Sequence, residues 1–255
     1  MADAVRVDRR GGVVRCTLDR PPLNLFEPGL IAALRSTFQT LAADASVRVA
    51  VLTGAGRAFT AGMDVHVLRD LEPASATALI TSLHDAIDAV HRAPFPVLAA
   101  VNGAALGAGF ELALACDLRI AASGAIFGLP EVRVGVPSVI QAALLPPMIG
   151  PGRAAEMLLT GASIGAAEAL AWSLVNRVVD RDQLDAAVDA MAASIVACAP
   201  TAVRLQKELI VRWRNTDQRT AVEYGINAFG QSFSTGEPRE AMDAYLGKRK
   251  PRFAS

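Results

Sequence analysis

Apolar runs of strand length alternate with stretches of helical period over the first 180 residues, and this alternation constrains the fold most. Val13-Val14-Arg15-Cys16-Thr17-Leu18 is rich in β-branched residues and is halted by Pro21-Pro22. Glu27 to Ala43 follows with Leu30, Leu34, Phe38 and Leu41 on one helical face. Val47 to Leu52 reads as a strand ending at Thr53-Gly54, and Pro73 to Arg92 as an amphipathic helix with a stripe of Leu79/Ile80, Leu83, Ile87 and Val90. Pro96 to Val101 and Leu118 to Ala121 are further strands around a helix at Gly107 to Cys116. After about Asp182 strand signals stop, and four helices are predicted: Gln183–Ala197, Thr201–Arg214, Arg219–Phe233 and Pro238–Leu246. The chain is thus predicted to be α/β over residues 1–197 and helical over 198–255. A helical region with little core of its own packs on its own domain or on another subunit.

The 255 residues carry 25 Lys+Arg and 25 Asp+Glu, so the net charge is zero and gives no footprint for nucleic acid or an anionic membrane. Two uncharged stretches have the length of a membrane span. Ala93 to Phe110 is broken by Pro94, Pro96, Asn102 and three glycines; Val134 to Gly152 is broken by Pro137, Pro146, Pro147 and Pro151. Both read as buried core and turns. The start, Met1 to Arg6, lacks the apolar region of a secretory signal. Cys16, Cys116 and Cys198 are odd in number and widely spaced, which fits a reducing compartment, and the protein is expected in the cytoplasm.

Several chemistries lack their residues. Gly54-Ala55-Gly56 follows a strand, but Phe59 holds the place of a third fingerprint glycine. His66, His84 and His91 lack metal-ligand spacing, and no GxSxG elbow is present. Two glycine-containing turns remain. Ala58-Phe59-Thr60-Ala61-Gly62-Met63-Asp64 enters a short helix, and Asn102 to Glu111 (Asn-Gly-Ala-Ala-Leu-Gly-Ala-Gly-Phe-Glu) enters an apolar one. Each leaves backbone N–H groups without helical partners. If aimed at one point they would form an oxyanion hole; the glycines serve tight helix packing equally well. Glu111 and Glu131 sit in apolar company, in Gly-Phe-Glu-Leu-Ala and Phe-Gly-Leu-Pro-Glu-Val. Burial and mutual proximity would let them share one proton near neutral pH. They could equally cap helices or pair with Arg119 or Arg133.

Together these segments resemble the crotonase (enoyl-CoA hydratase/isomerase) superfamily. The resemblance spans about Val13 to Phe253. It rests on Leu18-Asp19-Arg20-Pro21, Leu52-Thr53-Gly54, the two turns above, Cys116-Asp117, Phe127-Gly128-Leu129-Pro130-Glu131, Leu159-Thr160-Gly161 and Lys248-Arg249-Lys250-Pro251, in that order. It implies a spiral of ββα units followed by a helical trimerisation region, assembled as a trimer or a dimer of trimers. It implies an acyl-CoA thioester substrate, with coenzyme A as part of that substrate and no other cofactor, metal, nucleic acid or membrane. By motif, the oxyanion-hole amides belong to Met63 and Ala108, the catalytic acids are Glu111 and Glu131, and Ala61 and Asp64 lie where the family's loop meets CoA. Tyr245 and Lys248 match tail residues that reach CoA across a subunit contact.

The resemblance implies an enoyl-CoA hydratase, with a Δ3–Δ2 enoyl-CoA isomerase as the in-family alternative, for which Glu131 alone would serve. A non-catalytic CoA- or RNA-binding homologue is a third possibility, against which the presence of both glutamates speaks. Two departures stand out. Family hydratases carry Pro-Gly-x-Gly-Gly-Thr where this chain has the one-residue-shorter Gly135-Val136-Pro137-Ser138-Val139-Ile140-Gln141-Ala142, a segment that helps seat the reacting water. Ser173 replaces a glycine before Leu174-Val175, which reads as a structural change.

Overall fold

A computed structural model describes residues 4–253. Residues 1–3, which begin the expected leaderless start, and residues 254–255, which end the expected helical region, lie outside the described residues. The chain opens with a hairpin, β1 (Val5–Arg10) and β2 (Val13–Leu18), joined by Gly11-Gly12. Then α1 (Pro28–Ala42) starts at Glu27, whose carboxylate accepts the N–H groups of Gly29 and Leu30. The next unit is β3 (Val49–Gly54), β4 (Ala58–Thr60), the single turn α2 (Val65–Leu68) and the long α3 (Pro73–His91). The third is β5 (Val97–Val101), β6 (Ala104–Leu106) and α4 (Ala108–Ala115). The fourth is β7 (Leu118–Ala122), β8 (Ile126–Gly128) and two 3₁₀ turns, 130–134 and 140–144.

Within each of the three later units, the first strand joins one sheet and the second joins another. The large sheet has the order β1-β2-β3-β5-β7-β10 and the small one β4-β6-β8-β9. Here β9 is Ser163–Gly165 and β10 is Arg177–Val179. Helices α5 (Leu145–Ile149), α6 (Pro151–Thr160) and α7 (Ala166–Ala171) fill the interval before β10. From β2 to β10 the large sheet is parallel. Its central strands are therefore covered on both faces, and they read as near-continuous apolar runs. Ala50, Leu52, Val97, Ala99, Val101 and Ala121 join the main core with α1, α3 and α4. The alternate residues Val49, Val51, Leu98, Ala100, Ile120 and Ala122 face Leu184, Val188 and Ala192 of α8 (Leu184–Val196).

Beyond α8 lie α9 (Pro200–Trp213), α10 (Gln218–Ser232) and α11 (Glu237–Leu246). The predicted boundary at 198 is the turn between α8 and α9, where Arg48 donates to the carbonyls of Val196 and Cys198. Helix α9 is fastened to the α/β part by Leu205, Leu209 and a buried ion pair, Lys207 Nζ at 2.6 Å from both carboxylate oxygens of Asp117. Among the described residues no single helix is long and apolar enough to cross a membrane. Ser173 has φ +61°, the left-handed backbone that glycine favours, which accounts for the glycine it replaces.

The long helices and the apolar strands fall where the sequence predicts them. The structure adds strands that the pattern does not reveal, among them β1 and the short β4, β6, β8 and β9. Strand β10 was likewise unforeseen.

Candidate active site

Strands β4, β6 and β8 are consecutive and parallel in the small sheet, so their C-terminal ends lie along one edge, with neighbours about 4.8 Å apart. Met63 follows β4 by three residues. Ala108 and Glu111 follow β6 by two and five, and Glu131 follows β8 by three. Parallel pairing thus delivers residues from three distant stretches of sequence to one place. They line a cavity of about 570 Å³.

The two turns touch there. Gly62 has φ +92°, and a β-carbon on it would lie 2.7 Å from the Leu106 carbonyl oxygen and 3.5 Å from the Ala108 nitrogen. Gly107 has φ +54°, and a β-carbon on it would lie 4.0 Å from Gly62 Cα and 2.6 Å from Glu131 Oε1. Both positions need glycine for the backbone angle and for the close approach. Phe26 donates to the Gly62 carbonyl and accepts from Asp64 N–H, so Phe26 bonds to both neighbours of Met63. In such a parallel bridge the intervening residue's own N–H faces away from its partner strand. Among the described residues, neither Met63 N–H nor Ala108 N–H donates to an acceptor in the chain. Ala108 is the first residue of α4, where an N–H has no helical acceptor.

Glu111 is carried inward by α4, a helix buried on every side, and is 3% exposed. Burial pushes its carboxyl up to about 8. The amides of Ala142 (3.0 Å to Oε1) and Val139 oppose that rise, and the charge of Glu131 reinforces it. Glu131 stands half-buried on the 130–134 turn, and Ser138 Oγ donates to its Oε2 at 2.7 Å. The arginines that might have claimed these acids are engaged elsewhere. Arg119 donates to the carbonyls of Leu174, Ala113 and Cys116, and Arg133 Nε donates to that of Thr160.

The rest of the cavity wall is mostly apolar, with Thr77 and Arg133 as polar exceptions. Leu79, Ile80 and Leu83, the N-terminal half of the α3 stripe, face it, with Leu68 and Leu71 from the α2 segment. Val65, Val134, Val136 and Val139 are exposed at its rim. Ala61 lines it as well. Asp64 does not: it caps α2, its Oδ1 accepting His66 N–H at 2.9 Å. Tyr245, 84% exposed on α11, and Lys248, just beyond that helix, are also absent from this chain's own cavity wall. Sequence reasoning did not single out Ser138, the Val139 and Ala142 amides, or Gln141, whose Nε2 lies 3.1 Å from His84 Nδ1. The only trace of them in sequence is the shortened 135–142 segment.

Comparison with known proteins gives a consistent result. The family model described as enoyl-CoA hydratase/isomerase matches residues 8–255. A short-chain-enoyl-CoA hydratase of Clostridium acetobutylicum is 35% identical, the alignment covering 96% of this chain and 95% of that one. A crotonyl-CoA hydratase of Syntrophomonas wolfei is 37% identical over 93% of each. The crystal structure of an enoyl-CoA hydratase from Mycobacterium smegmatis superposes with a TM-score of 0.95 at 35% identity, covering 99% of both chains. With that match across nearly its whole length, and with a spiral of paired strands closing on two acids and two free amides, the chain belongs to the enoyl-CoA hydratase/isomerase (crotonase) family.

Proposed function

We propose that this protein is an enoyl-CoA hydratase, adding water across the Cα–Cβ double bond of a 2-enoyl-CoA and catalysing the reverse dehydration. The observation that carries the reading is the meeting of two acids and two unpartnered amides on one apolar cavity. The thioester oxygen accepts the N–H groups of Met63 and Ala108, which stabilise the negative charge that grows on it. One such donor is typically worth ~3 kcal/mol. The polarised Cβ is attacked by water. An ionised carboxylate takes one water proton as the C–O bond forms, and the neutral carboxyl gives its proton to Cα as the enolate collapses. One water is consumed, and the pair still holds one proton afterwards. By microscopic reversibility each acid is donor in one direction and acceptor in the other. The need is therefore for a pair that carries one proton in total, as the raised Glu111 carboxyl provides at neutral pH. The leucine-rich wall suits an acyl chain.

Self-association completes the proposal. Val222, Ile226, Phe229 and Phe233 recur at i, i+4, i+7 and i+11 along and just past α10, all exposed. We assign this stripe to contact with other copies in a trimer or dimer of trimers, where Tyr245 and Lys248 would reach the CoA of a neighbour. All three cysteines are free, which fits a cytoplasmic setting.

The test is an acyl-CoA panel. Crotonyl-CoA is expected to gain one water, followed by mass spectrometry. Glu131→Gln should lower kcat by about 10²–10⁴-fold with the melting temperature kept. Undiminished turnover in that variant would remove the two-acid mechanism. Conversion of 3-enoyl-CoA with no hydration of crotonyl-CoA would replace the reading with the isomerase.

A further inference from the structure

The two acids arrive from different elements, Glu111 from α4 and Glu131 from the 130–134 turn, yet one short span holds both. Ser138 Oγ donates to Glu131 Oε2 at 2.7 Å, and Ala142 N–H donates to Glu111 Oε1 at 3.0 Å. The path between them is unusual. Val139 is extended (φ −130°, ψ −152°), and Ile140 has φ +36°. Positive φ is rare for a β-branched residue and persists only where the surroundings enforce it. That reversal lets a side chain at 138 reach Glu131 and a main-chain amide at 142 reach Glu111. The far side of the span is pinned by Gln141, buried, whose Nε2 meets His84 Nδ1 of α3 at 3.1 Å. With Oε2 of Glu131 occupied by the serine, Oε1 is left against the second oxyanion turn, 2.6 Å from where a Gly107 β-carbon would sit.

We propose that Ser138 is a positioning residue for water addition: its hydroxyl fixes the Glu131 carboxylate, so that the Ser138–Ala142 span sets the separation and orientation of both acids. The inference rests on the hydratase reading above. It also gives the shortened segment a role, since a side chain does here what a glycine cannot. A hydroxyl donating to a carboxylate makes a charge-assisted bond, and such bonds are short and strong.

Wild type, Ser138→Ala and Ser138→Thr are to be compared by kcat and KM on crotonyl-CoA and by crystal structures of wild type and the alanine variant. Loss of one hydrogen bond to a charged group predicts a kcat about tenfold lower with KM within about twofold. Threonine, which keeps the hydroxyl, should restore kcat. In the alanine structure the Glu131 carboxylate should be displaced. Wild-type kcat in Ser138→Ala, or a Glu131 carboxylate unmoved in its crystal structure, would overturn the proposal. A wild type inert on every 2-enoyl-CoA, with Glu131 displaced in the alanine structure, would overturn the hydratase reading, and with it the role in water addition, while showing that Ser138 holds Glu131 in place.

Discussion

Glu111 ties stability to pH in a way that Glu111→Gln should expose. An ordinary glutamate titrates near 4.5, and burial holds the Glu111 carboxyl near 8. A folded state that grips a proton more tightly than the unfolded chain gains stability from it. That gain is fully present below 4.5 and is lost as the pH rises through 8. Within the window one proton is released on unfolding, so wild type should weaken by ~1.4 kcal/mol per pH unit relative to a variant that cannot titrate there. From pH 5 to pH 8 that amounts to about 4 kcal/mol, a large share of a typical domain's stability. Glutamine suits the comparison: it has the size of the neutral acid, and its carbonyl can still accept the Ala142 N–H. The assay is urea unfolding of both proteins at half-unit pH steps and equal protomer concentration, so that any association cancels. The quantity is the difference in unfolding free energy, in which the other titrating groups largely cancel. Wild type should lose ground steadily between pH 5 and pH 8 and level off above. Burial is the larger cause, so the slope should survive in a Glu131→Gln background with its upper end lowered. A difference curve flat from pH 5 to pH 8 would refute the assignment of a buried, protonated Glu111.

Three further outcomes follow from the same geometry. The kcat/KM for hydration should fall on the alkaline side near pH 8, where the acid pair loses its proton, as a pH–rate profile of wild type will read. Gly107→Ala places a methyl 2.6 Å from Glu131 Oε1 on a backbone at φ +54°; it should lower kcat at least about 100-fold in steady-state assays, because both the turn and the acid must shift. Lys207→Met leaves Asp117 without its cation in a site where the two side chains are 4% and 14% exposed. Chemical denaturation should record a loss of about 3–5 kcal/mol, with kcat kept at temperatures where the variant is folded.

What the sequence reveals depends on the length of the signal. Helices α1, α3 and α9 repeat their apolar residues over 14 or more positions and begin at Pro28, Pro73 and Pro200, residues that suit a first turn. Strands β3, β5 and β7 are buried on both faces and stand out as apolar runs. Strand β1 has neither mark. It is an edge strand with five exposed residues, among them Arg6, Asp8, Arg9 and Arg10, and such charges guard a sheet edge against further pairing. Nothing in Val-Arg-Val-Asp-Arg-Arg by itself separates it from a solvated loop.

The strands that escape detection are also the ones that build the site. Each strand of the small sheet has three residues, fewer than two full periods of alternation, so only pairing with its neighbours defines it. Twenty residues separate Glu111 from Glu131, and forty-five separate Met63 from Ala108. No spacing rule joins them, and residue types alone leave capping or pairing with Arg119 and Arg133 open. Once β4, β6 and β8 are seen as parallel neighbours, their ends must coincide, and the four residues just past those ends must meet. The family resemblance supplied that convergence because the order of its motifs carries the topology implicitly. It could not supply the Ser138–Glu131 bond, for there this chain departs from the family pattern and the contact depends on a local reversal at Ile140. A side-chain contact made through a strained, one-residue-shorter segment leaves no periodic trace, so it is the part of the site that only coordinates could disclose.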